Sequence, residues 1–531
     1  MRAYFAALAL VVAAVVGVLG LAAWRRARLR HLPPVAPAAP QVAPAIPLPV
    51  DVPSEGTALW IGEPGDDVFG YPKRQVDEAA LQAIVRAQQF DRAERVFAGL
   101  LAEYEADFRK ELWLRQAVDA FSTADPALTS VLDAWVARSP TSYAAHAARG
   151  SHRQAVAWAQ RGHRYMAETA LGQKVGFAQT MQAAADDFER ALRLSPHFYA
   201  SHASLITIER AQRGVTIPAP LLLKRALVAC PLCTTARSAY LGFERPVWSG
   251  SPERAEALLT SWQAEMEKNP RLKLLKGYVH EIRCDMFERE KQSEAAFAEC
   301  DRAVRTSPGF AHFLVERAHA EHVLKRVDRA LADLDEAHRL DPQNRTVLER
   351  RPVLLILAKR YREAVDDLLR ARRLDPVDVD LAEARMDAVK RLVYAGWEAS
   401  KAGDNGTALS LFDMALELDP QNKDARKRRI ATTTPEVAQS AAKALEERIA
   451  ANPDDFGLHR QLDDVYLRDR RFPDIIAMWT KFLAKHPDHG LAFWERAGAY
   501  HHHGDAAHAI ADARDACRLG VAQACAVAGK R

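Results

Sequence analysis

Glycine is sparse in this chain, 25 of 531 residues, and none of it sits where phosphate or nucleophile chemistry needs it. No Gly-rich loop ends in Lys followed by Ser or Thr, no HExxH or GxSxG occurs, and no glycine triplet opens a helix after a strand. The sequence therefore reads as non-enzymatic. Net charge is also nearly absent, with 73 Lys and Arg against 69 Asp and Glu for a formal +4. Five arginines (Arg2, Arg25, Arg26, Arg28 and Arg30) flank one apolar segment, and without them the remainder is slightly acidic. Nucleic-acid binding needs clustered cations that displace counterions from phosphates, and no such stripe exists here. Cysteine is limited to six residues. Cys230-Pro-Leu-Cys233 has no second CxxC or His–Cys pair nearby in sequence to complete four zinc ligands, so neither metal nor cofactor is expected. Strand-forming runs are scarce, which leaves an all-α expectation.

What is present divides the chain into four stretches. Residues 1–30 form an anchor with a basic flank. Residues 3–24 carry no charge and span about 33 Å as a helix, enough for a bilayer core of about 30 Å. The alternative is a cleaved signal peptide, but the run is long for one and four arginines follow it at once. Those arginines place the body on the cytoplasmic side of an inner membrane, while the cysteines favour the periplasmic side, where disulfides persist. Residues 31–75 read as a Pro/Ala-rich linker, with Pro33, Pro34, Pro37, Pro40, Pro44, Pro47, Pro49 and Pro53 favouring an extended spacer over helix. Residues 76–270 are a helical domain, with apolar side chains at three- and four-residue intervals and breaks at Asp125-Pro126 and Ser139-Pro140, where each proline suits the first turn of the next helix. Residues 271–531 are periodic.

In that last stretch prolines fall at Pro308, Pro342, Pro376, Pro420, Pro453 and Pro487, at intervals of 34, 34, 44, 33 and 34. Several close the phrase Leu-Asp-Pro. Ala330, Leu334 and Ala337 precede Pro342 by 12, 8 and 5, and Ala364, Leu368, Ala371 and Ala408, Phe412, Ala415 repeat those offsets before Pro376 and Pro420. Small residues let two helices approach, large ones fill the gap to the neighbour, and the proline stops the second helix. The pattern resembles the tetratricopeptide repeat, which implies stacked helical hairpins forming an α-solenoid. Gly396, Gly403-Asp404, Ala408, Phe412, Ala415 and Pro420 give the fullest match. The 44-residue interval implies ten extra residues around 379–402. The unit before Pro453 is broken at Thr434-Pro435, where a threonine cap would start a new helix. An earlier unit carries the same offsets in Gly172, Ala184, Phe188, Ala191 and Pro196. The phrases Leu132-Asp133-Ala134-Trp135, Ala148-Arg149-Gly150, Trp158-Ala159-Gln160-Arg161-Gly162, Arg237-Ser238-Ala239-Tyr240-Leu241 and Trp248-Ser249-Gly250-Ser251 resemble an uncharacterised bacterial domain that precedes such repeats. Ser249 stands where a glycine is expected.

On that scaffold Cys284 and Cys300 lie on facing positions of one hairpin, as a disulfide in an exported protein or as buried thiols in the cytosol. Cys230 with Cys233, and Cys517 with Cys525, are the other possible disulfides, the last pair resembling Sel1-like repeats. Arg149, Trp158, Arg161, Arg237 and Trp248 are the candidate ligand-binding set, since guanidinium groups fork to carboxylates and stack on indole. The competing reading locks helices together with them. His501-His502-His503 point different ways on a helix and read as a solvated turn, and the acidic pairs Asp186-Asp187, Asp366-Asp367 and Asp463-Asp464 as solvated helix faces. The repeats imply a membrane-anchored scaffold holding other proteins or peptides in a groove lined by first helices, capped at its end by Trp494, Tyr500 and residues 521–530. The rivals are a periplasmic, disulfide-stapled envelope-assembly factor and an enzyme with its site in 76–270.

Overall fold

The computed structural model describes residues 59–162, 168–432 and 435–528. The apolar segment 3–24, its arginines, the prolines of the spacer and the threonine cap expected at Thr434 lie outside the described residues. Among the described residues no helix is long and apolar enough to cross a membrane.

Helices begin where short polar side chains can satisfy the free amides of the first turn. Asp77 accepts from Ala80 N to start Glu78–Arg86, and Asp125 accepts from Ala127 N with Pro126 opening Pro126–Arg138. Asn344, Asp404, Asp455 and Asp505 start later helices in the same way. The second proline break differs from expectation. Ser142, not Ser139, caps the next helix, Tyr143–Arg161, and Pro140 stays in the turn.

The end of the stretch read as linker is built into the fold. Trp60–Ile61 pairs antiparallel with Gln75–Val76, a small exception to the all-helical expectation. Trp60 lies 4.4 Å from Trp113, with the Arg74 guanidinium 4.3 Å from the Trp60 ring. Tyr71 is fully buried, its hydroxyl accepting from Asn269 Nδ2 at 2.8 Å and its ring covered by Arg271.

The chain divides into two compact units, one running to Ala358 and including Asp366–Ala384, the other made of Lys359–Val365 and Arg385–Arg531. The first unit holds the helices of the 76–270 region around one large core containing Phe97, Phe121, Trp135 and Phe188. It also holds the hairpins Gly277–Arg289 with Ser293–Thr306 and Ala311–Val323 with Val327–Leu340. The helix Arg345–Leu357 follows. The two parts are joined at the Leu-Asp-Pro corners. Gln75 Nε2 donates to Leu340 O, Gln343 Oε1 accepts from Glu78 N, and Thr123 Oγ1 donates to Asp375 Oδ1 at 2.7 Å. The Leu-Asp-Pro corners, read in the sequence only as the ends of second helices, thus also dock the N-terminal helices.

The second unit contains Asn405–Leu418, Lys423–Thr432, Phe456–Arg468 with Phe472–Lys485, and Gly490–His503 with Ala506–Arg518. Beside the short helix Ala522–Ala528, Val521 and Ala524 pack with Ala516, Leu491 and Trp494, whereas Tyr500, also expected in the cap, stacks on His508. The ten extra residues lengthen one helix, Val379–Lys401, to 23 residues against 13 in Ala311–Val323. Small-to-large packing follows the predicted offsets: a Cβ on Gly396 would lie 2.7 Å from the Phe412 ring. The earlier unit needs a correction. Ala184, Phe188 and Ala191 are buried as expected, but a Cβ on Gly172 would meet nothing within 4 Å, and the glycine set against Phe188 is Gly150, where a Cβ would lie 3.2 Å from the ring. Its first helix is Tyr143–Arg161, set back in sequence by a longer connection.

Candidate functional site

The regularity of the hairpins creates one polar device repeatedly. An arginine on a first helix meets an aspartate 16 residues later on its own second helix, and a polar group 16 residues earlier on the preceding one. Arg317 reaches Asp333 through two bonds of 2.7 Å and Asp301 at 2.8 Å. Arg351 reaches Asp367 at 2.8 Å and Asp335 at 2.7 Å. Arg496 grips Asp512 and Thr480, and Arg429 binds Asp413. Such forked pairs fix orientation as well as charge.

Arg149 keeps the earlier half of this series, with Asp133 16 residues before it, while its second-helix aspartate, Asp187, lies 38 residues later. It donates to Asp187 at 2.8 and 3.0 Å and to Asp133 at 3.1 Å, while Arg153 and His146 also bind Asp187. The Asp187 carboxyl is held below its usual range: burial pushes it up, but the His146 and Arg149 hydrogen bonds and the nearby guanidinium charges outweigh that. The other candidates have separate partners. Arg161 lies 5.0 Å from the Trp158 ring, and Trp158 meets Phe177 edge-on. Arg237 donates to the carbonyls of Cys233 and Pro231 at 2.7 Å and lies over Trp262. Trp248 closes a short turn in which Ser249 adopts the left-handed conformation, φ 67°, which explains why glycine suits that position.

The acidic pairs are only partly solvated: Asp187, Asp367, Asp463 and Asp464 are buried, whereas Asp366 is exposed and Asp186 half-buried. Asp463 accepts from Trp479 Nε1 at 2.6 Å, another 16-residue contact. Sequence reasoning missed this series because it considered neighbours on one helix; the signal was Arg and Asp at i and i+16. His501, His502 and His503 are exposed, with His502 stacked on Phe472.

The six cysteines form three pairs, Cys230–Cys233, Cys284–Cys300 and Cys517–Cys525, with Cα separations of 5.5, 5.5 and 4.7 Å. Cys284 and Cys300 replace the small and large partners of the hairpin contact, as Ala318 and Leu334 do one repeat later.

Consecutive first helices of the first unit present a shared polar surface. Glu281 is buried between Arg245 NH2 at 2.8 Å and His312 Nε2 at 3.2 Å. Glu281, His312 and Glu316 bring three potential metal-ligand atoms within 4.8 Å, but Arg245 already supplies the positive charge there. For His312, burial works against protonation, yet the Glu281 charge and hydrogen bond raise its pKa. Farther along, a cavity of about 390 Å³ opens between Ala311–Val323, Arg345–Leu357 and the start of Val379–Lys401. Its rim carries His319, His322, Glu349, Arg350, Asp380 and Glu383, over a floor of Ala318, Leu334, Val353 and Leu354. Burial, with Arg350 adding to it, lowers the His319 pKa and keeps that ring neutral. A second, wider cleft of about 1020 Å³ lies between Phe69, Tyr104, Arg109, Cys230 and Lys268. None of the five sequence candidates lines either cavity.

Residues 77–222 match the family model described as a domain of unknown function, DUF4034. No curated protein matches the chain. Solved structures similar to it include the tetratricopeptide-repeat domain of P58(IPK), 16% identical over 82% of this chain and 99% of that one, at a TM-score of 0.22. The Cut9–Hcn1 hetero-tetramer of the APC/C is 13% identical over 86% and 90%, at 0.26. A tetratricopeptide repeat protein from Parabacteroides merdae is 16% identical over 46% and 96%, at 0.21.

Proposed function

We propose that this protein is a non-catalytic holder of other polypeptides, tethered to a membrane through residues 3–24, which binds an extended segment of its partner along the first-helix surface of its hairpins. The observation that carries this reading is the cavity among Ala311–Val323, Arg345–Leu357 and Val379–Lys401: polar side chains from three successive first helices converge over an apolar floor. Extended peptides are recognised by such alternation of pockets and polar rims along a groove. The arginines of the helical region are already engaged within the fold, Arg149 in a helix-joining fork and Arg161 and Arg237 in local contacts, which speaks against the enzyme alternative. The nearly balanced charge of the sequence, 73 Lys and Arg against 69 Asp and Glu, speaks against nucleic acid as the partner.

The side of the membrane has two readings. The arginines after residue 24 favour the cytoplasm, whereas the pairing of all six cysteines, with none free among the described residues, favours an oxidising compartment. Thiol alkylation of intact cells separates them, since six reactive thiols without reductant remove the oxidised version.

A photo-crosslinking amino acid placed at Glu383, exposed on the cavity rim, tests the docking surface against one at Arg302, exposed on a second helix. Adducts from 383 and none from 302 are expected. Equal labelling from both positions rules the reading out.

A further inference from the structure

We propose that one exposed face of the helix Val379–Lys401, built from Met386, Lys390, Tyr394, Trp397 and Lys401, docks on the headgroup layer of an anionic lipid membrane. This goes beyond the polypeptide-docking reading above and takes from it only the tether, which keeps the body within reach of a bilayer.

The helix has two faces in different surroundings. Val389 and Leu392 are buried and Gly396 is set against Phe412, so that side serves the hairpin. At about 3.6 residues per turn, Met386, Lys390, Tyr394, Trp397 and Lys401 fall on another side within an arc of about 80°, over about 22 Å of helix. Met386 is 54% exposed, Tyr394 61% and Trp397 36%, and Lys390 and Lys401 are exposed between and beyond them. Single exposed apolar side chains are ordinary, but several on one face mark a contact surface. All five residues belong to the second unit, away from the cavity that carries the docking reading.

The chemistry of this face matches a headgroup layer. Trp and Tyr carry an apolar ring with a polar edge and suit the membrane–water boundary, while a lysine stem lies along apolar surface and its ammonium group reaches outward to phosphate. Lys401 Nζ lies 4.0 Å from the Trp397 ring and the Arg428 guanidinium 5.5 Å from it, so cations on two helices flank the indole. The acids nearby are matched by cations: Asp387 lies 2.6 Å from Arg391, Glu398 3.5 Å from Lys401 and Asp424 3.1 Å from Arg428. Lys390 and Lys427, also exposed, then leave the surface net positive, complementary to anionic lipid. Neither cavity described above includes any of these side chains. Rings and cations without a pocket suit a fluid layer of headgroups better than one fixed side chain of a protein partner.

The test places an environment-sensitive fluorophore on Tyr394→Cys and, as a control, on Arg302→Cys, exposed on a second helix of the first unit. The six native cysteines are paired, so the label goes to the introduced thiol. The full chain is reconstituted in liposomes of phosphatidylcholine, with or without about one third phosphatidylglycerol, containing a lipid that carries a nitroxide quencher on its headgroup. In the anionic liposomes the label at 394 is expected to lose at least about half of its emission, with little loss in the neutral ones and none at 302. Lys390→Glu with Lys401→Glu should abolish the quenching, and circular dichroism confirms that each variant is folded. Equal signals at 394 and 302, or quenching at 394 that the double variant retains, overturn the proposal. A spectral shift at 394 produced by a Glu-rich peptide, with no quenching by lipid, assigns the face to an acidic polypeptide and overturns it too. Protein that does not stay with the liposomes refutes the tether alone, and the face is then read by adding the same vesicles to the chain in solution.

Discussion

The two units use the same repeat position with opposite charge. In the first unit Glu281 and Glu349 lie 27 residues before the prolines Pro308 and Pro376; in the second, Arg426 and Arg460 lie 27 before Pro453 and Pro487. The second unit neutralises its own surface. Arg426 bonds to Asp464 and Glu495, and Arg460 reaches Glu495 at 3.1 Å, tying three successive first helices together. The first unit sets Glu349, Arg350, Asp380 and Glu383 around an open cavity instead.

Breaking the closed surface should cost most. Arg426→Ala leaves Asp464 and Glu495 without their shared arginine, and loss of one partner from a buried ion pair costs about 3–5 kcal/mol. Denaturant unfolding followed by circular dichroism reads that loss, whereas Glu383→Ala on the open surface should change stability by no more than about 0.5 kcal/mol. A loss for Arg426→Ala as small as that for Glu383→Ala would erase the distinction.

Next in size is the hairpin packing itself. Gly396→Ala drives a methyl group to 2.7 Å from Phe412 and should cost about 1–3 kcal/mol. Gly150→Ala, at 3.2 Å from Phe188, should cost less. Melting temperatures of the two variants, compared with the parent, test the order. Trp479→Phe, which removes the donor to buried Asp463, should cost about 1–3 kcal/mol.

The smallest effect is a pH dependence in the first unit. The Glu288 pKa rises on folding, from about 4.5 to about 7. The folded state therefore holds that proton more tightly than the unfolded chain. Its contribution is favourable at low pH, declines as pH rises from near 4.5, and is fully lost above about 7. Glu288→Gln should flatten this part of the profile of melting temperature between pH 5 and 8, and an unchanged slope would assign it to other groups.

The hairpins of residues 271–531 were legible because proline and glycine impose local steric rules: Pro342 or Gly396 has the same meaning whatever surrounds it. The earlier hairpin was half legible. Phe188 and its alanines matched, but the glycine that completes the contact is Gly150, beyond a connection of unpredictable length. The arginine–aspartate series and the cavity rim were not legible. Asp187 and Asp464 look like solvated helix residues until hairpin geometry places an arginine opposite each. Glu349, Asp380 and Glu383 become a site only when three helices set their register. The expectation for residues 59–75 failed for the same reason, since Tyr71 is buried by Asn269 and Arg271, almost two hundred residues later.

Hydrogen–deuterium exchange of the full chain with a saturating extended peptide tests the central claim most directly. The account predicts protection confined to Ala311–Val323, Arg345–Leu357 and the opening turns of Val379–Lys401. Protection on the second helices Ser293–Thr306 and Val327–Leu340 instead, or none anywhere, would contradict it.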